Sequence, residues 1–236
     1  MKTKKRTLHR TILTIDVGGS HVKLMTNRGR TKREFVSGPH LTAKTMVRKV
    51  ERLTNDWSYD VISLGYPGPV VRNRPLADPY NLGRGWKRFD FEKAFGRPTR
   101  VVNDALMQAL GSYEGGRMLF LGLGTGLGSA MIADGVLEPM ELGHLPYRKG
   151  KTFEDYAGAA GLKHLGLKKW RRRVADVVED LVAALQPEYV VLGGGNVDKL
   201  DKLPPKTRRG NNDDAFEGGF RLWDKHMGKR ARRARS

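Results

Sequence analysis

Apolar and polar positions along this chain switch repeatedly between a two-residue and a helical period. Residues 11–17 and 21–26 read as two strands joined by a turn at Gly18-Gly19. Met46, Val47, Val50 and Leu53 recur at helical spacing, and "DVISLGYPGP" then reads as a strand running into a Pro/Gly loop. From Val70 to Arg97 no period holds, so this stretch, with Asn81, Gly83, Gly85 and Trp86, reads as loop. "RVVNDALMQALGSYEGG" begins as a strand, changes period at Asn103 and Asp104, and continues as a helix, so Asp104 sits where a strand ends. "MLFLGLGTGLGSAMIADG" is a second glycine-turned hairpin, closed by the Asp134-Gly135 turn. A helix starts near Thr152 with Glu154 in its first turn. Val174, Val177, Val178, Leu181 and Leu185 form an apolar stripe stopped by Pro187. "EYVVLGGGN" reads as a buried strand ending in three glycines, and "DAFEGGFRLWDKH" as a last helix. Strands alternating with helices throughout predict an α/β protein.

The length of 236 residues suffices for two modest domains around sizeable cores. A break near residue 100 gives a smaller N-terminal α/β domain at 11–100, which carries the first hairpin, and a larger one at 101–213. A helix at about 214–226 could pack back onto the first, and residues 1–10 and 227–236 are basic tails. No apolar run approaches the ~20 residues of a membrane span, and "MKTKKRTLHR" is not followed by a signal-peptide core. A cytoplasmic protein without membrane contact is expected. Cysteine is absent, which excludes disulfides and thiolate zinc sites.

Charge changes the picture further. The formal net charge is +19, more than half of it at the two ends, with "RGRTKR" and "KKWRRR" inside the body. Such an excess suits polyanions in general: nucleic acid, anionic membrane, polyphosphate or nucleotide phosphates. Solvated faces and tails explain it equally well.

Three glycine loops, at residues 18–19, 122–128 and 193–195, each follow a predicted strand. Glycines let backbone amides crowd a phosphate. The P-loop pattern fails because no Gly-Lys-Ser/Thr follows any of them, and the dinucleotide fingerprint fails because "GLGTGLG" runs on into a strand. "DVGGSHVK", "NDALMQALG", "GLGTGLGSA", "ELGH" and "VVLGGGN", in that order, resemble the ROK sugar kinases. "GKTFEDYAG" and "FEGGFRLW" are similar to stretches of that family's polyphosphate/ATP glucokinases, and the likeness runs from about Ile12 to Trp223.

The resemblance implies an actin-like, ribonuclease-H-type fold of two α/β domains that close on a sugar and a phosphoryl donor. By the same resemblance Asp104 is the general base toward a sugar hydroxyl, with Asn103, Glu141, His144 and Glu154 contacting the sugar. Asn81 and Trp86 would wall the pocket. Asp16 would help hold Mg²⁺, directly or through water, and Gly18, Gly19, Ser20 and Lys23 would approach the donor phosphates. Gly124, Thr125 and Gly126 match the second phosphate turn; Gly193, Gly194, Gly195 and Asn196 match the loop near a nucleotide's nucleoside end. Many members carry a cysteine-and-histidine zinc site just beyond "ELGH"; this chain has no cysteine there, so no zinc is expected and packing must hold that loop. Trp170 and Trp223 read as core or interface residues.

The expected activity is transfer of the terminal phosphoryl of ATP, polyphosphate or both to a hexose, glucose first, by a homodimer. The competing reading is a sugar-responsive or nucleic-acid-binding regulator. Regulators of the family carry a winged helix ahead of the kinase fold, whereas about ten residues precede the first strand here. Nucleic acid is therefore not the expected partner. A sugar-binding remnant without catalysis is disfavoured by Asp16 and Asp104.

Overall fold

The computed structural model describes residues 10–211 and 213–224. The basic stretches at 1–9 and 225–236 lie outside the described residues. The chain begins with an antiparallel meander of β1 (Ile12–Val17), β2 (His21–Thr26) and β3 (Arg33–Val36). The first turn is tight, with Gly18 N–H donating to His21 O at 2.9 Å. Next comes α1 (Ala43–Leu53), capped by Thr42, and then β4 (Val61–Tyr66). The segment read as loop holds two short strands, β5 (Val70–Val71) and β6 (Arg74–Pro75), and a single-turn helix, α2 (Phe91–Phe95). Elements this short show no period; α2 is set by its ends, Asp90 accepting from Lys93 N–H and Gly96 in the left-handed region.

The chain continues through β7 (Thr99–Asn103), α3 (Asp104–Ser112), β8 (Arg117–Leu123), β9 (Leu127–Ala133) and β10 (Val136–Met140). A 3-10 turn, Leu142–His144, leads to α4 (Phe153–Ala157), α5 (Ala159–Leu165) and α6 (Leu167–Leu185). The remaining elements are β11 (Tyr189–Gly193), a second 3-10 turn at Val197–Lys199, β12 (Thr207–Arg209) and α7 (Asp214–Arg221). The strands form two mixed sheets of the same plan, β3-β2-β1-β4-β7 and β10-β9-β8-β11-β12. In each, a hairpin is extended by parallel strands.

Alternation along β1 decides which groups meet. Leu13, Ile15 and Val17 enter one core with Val22, Leu24, Met46, Val50, Trp86 and Phe91. Thr14 and Asp16 therefore face the opposite side of the sheet. On that side lie α3 and α7. Met107 of α3 reaches Gly65 of β4, while Leu106, Ala109 and Leu110 of α3 pack on Phe120, Ala130 and Ile132 of the second sheet. One helix is thus shared by both sheets. The outer face of the second sheet is covered by Phe153, Trp170, Val174, Val177 and Leu181 of α4 and α6, each such burial contributing ~1.5–3 kcal/mol.

The last helix approaches its neighbours through glycine. A Cβ on Gly218 would lie 1.7 Å from Met107 O, and one on Gly111 1.8 Å from Asp214 O. Gly219 abuts Thr14, and Ser63 Oγ of β4 donates to Gly219 O. Trp223 Nε1 donates to Ser63 Oγ at 2.9 Å, and Arg221 donates to the carbonyls of Leu110 and Tyr113. The C-terminal helix therefore forms part of the cover of the first sheet.

Candidate active site

β1, β4 and β7 run parallel and end together, at Val17, Tyr66 and Asn103. Asp16 pairs in register with Gly65, and a Cβ on Gly65 would come within 3.5 Å of Asp104 Cα. The bare backbone of Gly65 lets the first turn of α3 settle against the sheet, so Asp16 and Asp104 share one space. Their charges interact accordingly. Burial, then the negative charges of Asp16 and Glu141, push Asp104 up to about 7 against the opposing Ala105 N–H donation at 2.8 Å. Burial also raises Asp16, offset in part by Lys23, its direct cross-strand partner. Glu141 is raised by burial first; His144 lowers it and Glu154 raises it.

Asn103 has two structural duties at this junction. Its Oδ1 accepts from Leu106 N–H at 3.0 Å, capping α3, and its Nδ2 donates to Gly68 O at 3.2 Å.

Around the second hairpin the remaining acids converge. Glu154 Oε2 accepts from Leu127 N–H at 3.0 Å, and a Cβ on Gly126 would lie 2.1 Å from that same oxygen. Gly143, inside the turn that carries His144, packs on Leu127 and on Glu154 Cβ. Ser129 fixes the approach to this turn, donating to Met140 O and accepting from Leu142 N–H. Glu141, His144 and Glu154 are thereby gathered at one end of β9, and Gly128 of β9 touches Ala105, the residue after Asp104. The loop from His144 to α4 is held by Tyr147, which packs on Phe153 and Tyr156, and by a Thr152–Asp155 capping box.

The three glycine loops fall into two groups. Gly18, Gly19 and Ser20 form the first turn, where Asn81 lies against Gly19 and Ser37 Oγ donates to Gly18 O at 2.7 Å. Gly194, at φ +83°, presses on the backbone of Leu123, and a Cβ there would sit 2.7 Å from it. Asn196 adds two bonds to the same hairpin, N–H to Leu123 O at 2.9 Å and Nδ2 to Gly124 O at 3.2 Å. Gly124–Gly126 and Gly193–Asn196 are therefore one continuous surface. Trp86 departs from expectation: it is fully enclosed in the first core, its indole donating to Leu41 O at 3.0 Å, and it walls no pocket. Trp170 is likewise buried, bonded to Ala157 O. Gly65 was missed as a site residue; its signal was a glycine inside a strand, which marks a close approach.

Among the described residues no group of three or more His, Asp or Glu is placed to hold a metal ion, and no helix is long and apolar enough to cross a membrane. The chain matches no family model. It is 29% identical over 213 residues to the polyphosphate glucokinase of Mycobacterium tuberculosis (strain CDC 1551 / Oshkosh), covering 82% of this chain and 76% of that protein. Both the motif order and this relative point one way. The chain is similar to the ROK family of sugar kinases. Its actin-like fold matches the inorganic polyphosphate/ATP-glucomannokinase of Arthrobacter sp. strain KM with a TM-score of 0.77 at 22% identity, over 89% of this chain and 97% of the other. A ROK-family glucokinase from Streptomyces griseus, solved with glucose and AMPPNP, matches with a TM-score of 0.73 at 16% identity, over 90% and 98%. The paired sheets are the two halves of that fold.

Proposed function

We propose that this chain phosphorylates a hexose, glucose first, using ATP or polyphosphate, with Asp104 as general base. The observation that carries this reading is the placement of Asp104. It follows directly on the end of β7, close enough to Asp16 and Glu141 to feel both charges, with its carboxyl poised near 7. A base of that strength is ionised in half its copies at neutral pH and takes a proton readily.

In this reading the sugar lies against Asn103, Glu141, His144 and Glu154, whose acceptors and donors match ring hydroxyls. The donor phosphates rest on Gly18–Ser20 and Gly124–Gly126, near Lys23. The sugar oxygen attacks the terminal phosphorus in line; the bond from that phosphorus to the bridging oxygen breaks, and the hydroxyl proton passes to the Asp104 carboxylate. The leaving group is ADP or a polyphosphate shortened by one unit.

A magnesium ion fits the chemistry of the site. Asp16, Asp104 and Glu141 crowd negative charge that Lys23 offsets only in part. Asp16 would hold Mg²⁺, directly or through water. When bound, Mg²⁺ supplies charge neutralisation on the donor phosphates.

A coupled assay tests the reading, with purified protein, a panel of hexoses, Mg²⁺ and either donor. Phosphorylation of glucose that is lost in Asp104→Asn supports it. No turnover with any hexose and either donor refutes it.

A further inference from the structure

Two basic stretches far apart in sequence meet at one loop. Arg171, from "KKWRRR" on α6, donates through Nε to Lys199 O at 2.6 Å, and Arg209, from "KTRRG" on β12, donates to Leu200 O. That loop follows directly on the glycines Gly193–Gly195 and Asn196. Lys199 reaches back into it, its Nζ donating to Asn196 Oδ1 at 2.6 Å, while the amide of Asn196 holds Gly124 O. The Lys199 ammonium is therefore one side chain away from the surface that receives the donor.

Lys168 lies one helical turn before Arg171 and is exposed, beside the N-terminal end of α6, whose positive dipole adds to the field. Two acids share the area. Asp201 pairs with Arg171 at 2.7 Å, and Asp198 is exposed on the same turn. Lys199, by contrast, is directed at a neutral amide oxygen and stands ready for an anion.

We propose that Lys199, Arg171, Lys168 and Arg209 form a phosphate-binding row that reads the length of a linear polyphosphate donor beyond the phosphoryl that is transferred. This rests on the sugar-kinase reading for the position of the donor. Through Lys199, Asn196 and Gly124 this cluster adjoins the second glycine turn, a placement that suits a chain of phosphates continuing past the donor site. The triphosphate of ATP is served by the glycine turns and does not depend on these cations.

The test combines kinetics with a binding measurement that needs no turnover. Michaelis constants for ATP, tripolyphosphate and long-chain polyphosphate are compared in the full chain and in Lys199→Ala, Lys199→Arg, Arg171→Lys and the remote control Lys49→Ala. Binding of long-chain polyphosphate without sugar is measured in parallel at low and high salt. Lys199→Ala is expected to raise the constant for long-chain polyphosphate about tenfold or more, to flatten its salt dependence and to change that for ATP by less than about threefold. Lys199→Arg should restore most of the loss. Equal shifts for ATP and long-chain polyphosphate would overturn the proposal, making Lys199 only a tie to Asn196. Unchanged polyphosphate binding in Lys199→Ala alongside intact ATP-dependent turnover also overturns the row, while leaving the kinase reading in place. Weakened polyphosphate binding in a protein that phosphorylates no sugar would support the row and sink the kinase reading instead.

Discussion

Replacing Asp104 by Asn should make the protein more stable as it makes it inactive, and the gain should depend on pH. The Asp104 carboxyl sits at about 7 against an ordinary value of 3.8. At ~1.4 kcal/mol per unit, the ionised side chain costs the fold about 4 kcal/mol relative to water. The folded state holds a proton that the unfolded chain has released throughout the window from about 4 to about 7. Wild-type stability therefore falls as pH rises through that window and levels off above it. Asparagine is the same shape, keeps an oxygen for Ala105 N–H and carries no charge to bury. The variant should be more stable than wild type by about 4 kcal/mol at pH 8.5 and by less than half of that at pH 5. Urea unfolding followed by tryptophan fluorescence reads this directly, since Trp86 and Trp170 are buried in different cores. EDTA in the buffer keeps divalent cations from stabilising the ionised pair. The same substitution should cut turnover about a hundredfold or more. A stability difference that is equal at the two pH values, or of opposite sign at pH 8.5, would refute the electrostatic account of this residue.

In wild type, kcat/KM should rise with pH through a limb near 7, and a flat profile between pH 6 and 8 would separate Asp104 from the proton transfer. Glu154→Gln and His144→Ala should raise the sugar KM, each by the equivalent of roughly 1–3 kcal/mol; unchanged constants for every hexose would remove them from the sugar site. Gly218→Ala drives a methyl group into Met107 O and should lower the unfolding midpoint sharply, as seen by thermal denaturation. EDTA should abolish turnover, and added Mg²⁺ should restore it.

The halves of the fold were legible where glycines interrupt an apolar period. Both hairpins, the change of period at Asn103-Asp104 and the stripe on α6 each leave a mark along a single stretch of chain. Elements held mainly by distant partners leave none. β3, β12 and α2 are too short for a period, and α5 follows α4 with only Gly158 between them. The meeting of Asp16 with Asp104 depends on Gly65, a residue of a third segment, so no local pattern reveals it. Trp86 was misread for a related reason. In a sequence window an aromatic residue beside "NLGRG" resembles a pocket wall, but the Leu41 carbonyl that claims its indole is 45 residues away. The basic runs behaved differently again, since their composition is visible while their convergence on Leu200 is a property of the folded chain alone.

The glycine-lined seat of α7 against Thr14 and Met107 also sets an order of events during synthesis. The first sheet can pair its strands and bury one face as soon as α1 and β7 have been made. Its other face is completed by a helix encoded more than a hundred residues later, at Asp214–Arg221. Until that helix emerges from the ribosome, Thr14, Ser63 and the flank of α3 stay uncovered, and the nascent N-terminal half carries an exposed, partly apolar surface. Chains stopped before residue 214 would retain every residue assigned to the site and still lack the piece that closes it. Such products should depend on chaperones or be degraded, which makes the last helix a checkpoint for completeness of the chain.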